Sequence, residues 1–176
     1  MELLFYVNQY CNYADKLIRW WTSPLSWKFN GNWKYVPSHV EILFSDGYMF
    51  SASGRENKVR FKRFNKDSEA WIRVPIEADE IDEAIVRLFC TTLAGGTYDY
   101  AGVAGFVLPI KQDKQKWFCS EVSTKALLQI PIKELQCLVP SKTSPLALLL
   151  GTGAEFDNRF KYWTFRSLKV VNEFGN

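Results

Sequence analysis

The chain is poor in the residues that most often advertise a function. It has one histidine among 176 residues. Its four cysteines, Cys11, Cys90, Cys119 and Cys137, form no CxxC pair. A structural zinc site would therefore have to be gathered from distant thiols, and no metal or other cofactor is expected. A chain of this length buries enough surface to fold without disulfide staples, so the thiols read as free. Long apolar runs are also missing. The longest, 101–110 and 145–150, fall well short of the ~20 residues of a membrane-spanning helix. The start, Met1-Glu2-Leu3-Leu4-Phe5, has an acid where a signal peptide carries a base. No membrane span and no signal peptide are expected. Charge of one sign is scarce too: the net charge is +3. The basic stretch Lys58, Arg60, Lys62, Arg63 and Lys66 lies in no recognised nucleic-acid module and reads as a solvated strand edge, so no nucleic-acid partner is expected.

Hydrophobic residues make up 47% of the chain and aromatics 16%, which excludes disorder. Leu3 to Val7 reads as a strand, and Tyr13 to Trp21 as a short amphipathic helix. Asp46-Gly47 between apolar runs predicts a hairpin of His39–Phe44 with Tyr48–Ser53. Val59–Phe64 alternates as a half-exposed strand, and Ala70–Val74 predicts another that ends at Pro75. The second half is helical. Residues 79–93 carry Ile81, Ala84, Ile85, Leu88 and Phe89 at three- and four-residue steps after an acidic first turn, and Gly95-Gly96 closes them. Residues 98–109 are apolar and 111–116 form a polar connector. Residues 118–129 predict a buried helix, and a short helical turn follows Pro140.

Two side chains stand out chemically. His39, at the head of a predicted strand, is the one imidazole available as a base near neutral pH. Cys119 heads a predicted helix, where unpaired N–H groups and the helix dipole favour a thiolate and can hold an oxyanion. The other cysteines read as structural. A Cys–His pair needs a third group to orient the ring. Ser51 and Ser53 lie on the strand beside His39. Glu41 shares the face of His39, but nearly 7 Å of backbone rise separates them, which argues for poor reach.

Several strings, in this order and spacing, resemble the circularly permuted branch of the NlpC/P60 (papain-like) superfamily. They are Ile18-Arg19-Trp20-Trp21-Thr22, Pro37-Ser38-His39-Val40-Glu41-Ile42, Gly96-Thr97-Tyr98-Asp99-Tyr100, Trp117-Phe118-Cys119-Ser120-Glu121-Val122, and Pro140-Ser141 with Ser144-Pro145. The resemblance covers about residues 1–150 and is closest to small bacterial and phage members. It implies Cys119 as nucleophile and His39 as base. It places the third polar residue at Ser51, which can accept a hydrogen bond from the ring but cannot balance an imidazolium as a carboxylate does. Glu41 is the other candidate for that place.

The expectations are then these. The fold is α+β and papain-like, a small antiparallel sheet packed against helices. Residues 1–150 form one domain, and 151–176 a packed extension or a mobile tail. The function is a cysteine hydrolase or acyltransferase acting on an amide or ester, with peptide, peptidoglycan or acyl substrates. The alternative is an inactive phage structural or binding protein that keeps the fold, with a phage or host protein as partner. The expected location is the cytoplasm or a virion.

Overall fold

Alternation of apolar residues in the first half builds the sheet that everything else packs on. The computed structural model describes residues 1–7, 16, 18–19, 35–65, 71–100, 116–157 and 162–171. Most of the helix expected at 13–21, the apolar stretch after residue 100, most of the 111–116 connector, and Cys11 lie outside them.

Strands β1 (Glu2–Tyr6), β2 (His39–Leu43), β3 (Tyr48–Ser53), β4 (Lys58–Arg63) and β5 (Trp71–Glu77) pair antiparallel in the spatial order β5-β1-β2-β3-β4. Asp46-Gly47 makes the β2–β3 turn: Gly47 has φ +84°, and the Asp46 side chain accepts from the Tyr48 N–H at 3.0 Å. β5 does not stop at Pro75 as expected. Alternate strand N–H groups point to opposite edges, and Ile76 donates to Met1 O at 3.0 Å. The nitrogen of Pro75 therefore faces away from β1, where it breaks no β1–β5 hydrogen bond.

Helix α1 (Glu80–Leu93) begins on a capping box between Asp79 and Asp82, and Gly95 (φ +90°) follows its end. A two-stranded parallel ladder, β6 (Thr97–Tyr98) with β7 (Lys116–Trp117), leads into α2 (Cys119–Leu127). Helix α3 (Pro145–Gly151) is capped by Ser144, whose hydroxyl accepts from the Ala147 N–H. A hairpin of β8 (Glu155–Asp157) and β9 (Tyr162–Thr164) follows, and β10 (Leu168–Lys169) joins the main sheet parallel to β5. The architecture is α+β: a six-stranded sheet, antiparallel apart from β10, packed against helices.

The sheet has two differently used faces. Val40, Ile42, Phe50, Ala52 and Val59 point into the main core, where they join Val122, Ala126 and Leu127 of α2. The opposite face, which carries His39, Glu41 and Ser51 by strand parity, has a smaller cluster of Leu4, Leu43 and Met49 with Phe64 and Trp71 packed on it. α1 turns inward a different stripe from the one its sequence suggests. Val86 and Cys90 are buried, whereas Ile81 and Leu88 are each 70% exposed.

The described part of the 151–176 extension is tied into this body. Leu168 is buried in the main core, and Trp163 donates through Nε1 to Tyr35 O at 3.0 Å. Leu168→Ala should therefore lower the unfolding free energy by about 2–5 kcal/mol, read as an earlier midpoint in a single urea transition. A midpoint unchanged from the parent would place β10 outside the cooperative unit.

Candidate active site

The first residue of β2 and the first residue of α2 meet at one end of the sheet. The Cys119 thiol stands close enough to the His39 ring to act on its charge. Their meeting follows from how α2 is laid down. Its N-cap, Phe118, is fully buried, and the helix packs across β2 and β3. The approach to it is fixed by the β6–β7 ladder, where Asp99 donates from its backbone to Trp117 O at 2.9 Å. Gly96 sits so close to Trp117 that an added Cβ would lie 3.0 Å from the indole. Lys125, one turn along α2, holds Glu121 at 3.1 Å and stands 4.0 Å over the Trp117 ring. Strand, indole and first helical turn are thus braced together just around the thiol.

The imidazole is oriented by Glu41, not by Ser51. His39 Nε2 lies 2.9 Å from Glu41 Oε1. The expectation of poor reach fails because backbone rise alone does not set the gap. The two side chains lean toward each other along the strand and cover it with their own length. Ser51 is corrected in role as well. Its hydroxyl donates to Val40 O at 2.7 Å, a backbone partner, and it is fully buried. Ser53 is likewise turned to its own turn, accepting from the Glu56 N–H at 3.3 Å.

Arg60 on β4 was hidden within the basic stretch. Its guanidinium binds both oxygens of Glu41, Nη1 to Oε2 at 3.2 Å and Nη2 to Oε1 at 3.1 Å. Arg60 also reaches Glu56 through Nε at 3.4 Å, and Glu56 carries Lys62 at 3.4 Å and Lys58 at 3.8 Å. Charges therefore alternate from the exposed β3–β4 turn inward to the ring: Lys62, Glu56, Arg60, Glu41, His39. The signal in the sequence was parity, since Arg60 and Ser51 are cross-strand partners and Ser51 continues the β2–β3 register to Glu41.

This surrounding sets protonation. Burial opposes charge on His39, but its interactions with Cys119 and with the Glu41 carboxylate outweigh it. Together they raise the ring pKa from 6.5 to about 10. At neutral pH the ring is an imidazolium. Burial alone would push Glu41 up. Its hydrogen bond and ion pair with His39, and then Arg60, overcome that and hold it below the usual carboxylate range. Glu121 moves the other way, raised chiefly by burial despite Lys125.

The remaining described thiols differ. Burial pushes Cys90 up to about 12, and Cys137 is exposed. Cys119 itself is 2% exposed, against 21% for the His39 side chain. Around the ring stand Tyr6, its partner across β1–β2, and Trp71, whose ring centroid is 6.4 Å from that of His39. Among the described residues no group of three or more His, Cys, Asp or Glu side chains could hold a metal ion, and no helix is long and apolar enough to cross a membrane. Comparisons of the chain with family models, with curated proteins and with solved structures gave no match.

Proposed function

We propose that this protein is a cysteine hydrolase or acyltransferase of papain-like, permuted NlpC/P60 type, acting on an amide or ester bond. The observation that carries the reading is the Cys119 thiol placed beside the His39 ring, whose Nε2 lies 2.9 Å from Glu41 Oε1. The thiolate attacks the substrate carbonyl carbon. The tetrahedral oxyanion that forms is met by first-turn N–H groups of α2, which no side-chain cap occupies. Collapse of this intermediate breaks the bond to the leaving group, which takes the His39 proton, and leaves a thioester on Cys119. The neutral ring then draws a proton from water or an acceptor hydroxyl or amine, which attacks the thioester and releases the acyl group, restoring thiolate and imidazolium. Peptide, peptidoglycan or other acyl donors fit this chemistry.

The burial of Cys119 favours one rival, a phage or host-binding protein that keeps the fold without turnover. The two readings separate on covalent chemistry. Incubated with p-nitrophenyl acetate, the parent should show an acetyl mass on the peptide that carries Cys119 and release p-nitrophenol beyond one equivalent. Cys119→Ser should show neither. A parent that stays unmodified, or is modified only at Cys137, would leave the non-catalytic reading.

A further inference from the structure

We propose that Arg60 is a positioning residue of this site, clamping Glu41 from two strands away, and that Ser51 is the gap its arm crosses. The inference rests on the Cys119–His39 reading for its effect on the sulfur, though not for its effect on the imidazole.

Geometry carries the argument. Glu41, Ser51 and Arg60 stand in one cross-strand row on β2, β3 and β4. Neighbouring strands lie about 4.8 Å apart, so Arg60 must span roughly 9–10 Å to reach Glu41. The residue between them on the same face decides whether it can. Serine leaves the path open and bends its hydroxyl away to Val40 O, whereas a branched side chain would fill the space the guanidinium stem occupies. The clamp is bidentate, and both partners are largely withdrawn from water, with side-chain exposures of 11% for Arg60 and 3% for Glu41. A forked pair fixes the carboxylate plane, and that plane aims Oε1 at His39.

The charged groups that bear on Glu41 among the described residues are few. On its own strand there is His39, with Cys119 of α2 beyond the ring. From β4 comes Arg60, backed by Glu56 with Lys58 and Lys62. β1 presents Leu4 opposite Glu41, and β3 presents Ser51, neither of them charged. Removing Arg60 therefore strips the carboxylate of the cation that binds both of its oxygens. Glu41 should then take up a proton at higher pH, and the imidazolium should lose its counter-ion there.

His39 is the chain's one histidine, so its ring resonances report this without overlap. In the parent, a low-pH inflection of the ring signals marks protonation of Glu41. In Arg60→Met it should move to higher pH, and Arg60→Lys should fall between. Ser51→Ala should leave the inflection in place, and Ser51→Leu should displace it as Arg60→Met does. Iodoacetamide alkylation of Cys119 should slow roughly tenfold at pH 5.5 in Arg60→Met and much less at pH 8. An inflection unmoved in folded Arg60→Met overturns the clamp. An inflection that moves while alkylation of Cys119 in the parent ignores His39 keeps the clamp and removes the proposed activity instead.

Discussion

Glu41→Gln should lower the unfolding free energy by about 3–5 kcal/mol, the largest stability effect of any conservative change at the site. Glutamine keeps the shape and some hydrogen bonds but removes the charge. It leaves a guanidinium and an imidazolium facing each other with little water to screen them, and breaking one side of a buried pair costs this much. The pH dependence carries the sign. The His39 pKa is raised on folding, so its share of stability is complete below about pH 6.5 and is lost as pH climbs through about 10. That of Glu41 is lowered, so its share is present above about pH 4.3 and is lost as pH falls through its depressed folded value. Urea midpoints of the parent between pH 3 and pH 10 should form a plateau with a shoulder on each side. In Glu41→Gln the acid shoulder should vanish and the alkaline one shrink. A variant curve parallel to the parent's would mean that the carboxylate does not govern the ring.

His39→Ala should slow alkylation of Cys119 at pH 7 by roughly tenfold, because the ring that stands against the sulfur and favours its reactive form is gone. The exposed Cys137 would mask this, so the comparison belongs in a Cys11→Ser, Cys137→Ser background. Cys90, pushed up to about 12, should stay unlabelled until the protein is unfolded. With His39 present, the rate should depend less steeply on pH near neutrality than without it, because the ring stands against the sulfur. Without it, the rate should climb with pH as that of an unassisted thiol does. Equal rates for Cys119 in the two proteins at pH 6–8 would dissolve the pair as a chemical unit, whatever their proximity.

Local chemistry was legible in the sequence, and direction across the fold was not. Asp46-Gly47 announced the β2–β3 hairpin because only a few residues tolerate that turn. Asp79 and Gly95 marked the ends of α1 because a cap and a positive φ are local demands. Periodicity found an apolar stripe at Ile81, Ala84, Ile85, Leu88 and Phe89, of which Phe89 does pack against the core, but it cannot say which side of a helix meets that core. Val86 and Cys90 took the buried place beside Phe89, with Leu93 packed next to them. At the site, Cys119 and His39 were readable from their positions at element starts. The Glu41 contact was misjudged by counting backbone and not side chain. Arg60 needed the register of three strands at once, which no short motif encodes.

The order of strands also sets how much loop entropy each part of the site costs to assemble. His39, Glu41, Ser51 and Arg60 lie on consecutive strands joined by tight turns, so the carboxylate, its clamp and the imidazole can assemble from near neighbours with little loop entropy lost. β1 must find β2 and β5 much further along the chain, and β5 also pairs with β10, which lies beyond all the helices in sequence. Such distant pairings slow folding relative to helical proteins of this size. The nucleophile sits on α2, so its meeting with His39 closes a loop of 80 residues, far longer than those that join the carboxylate, its clamp and the imidazole.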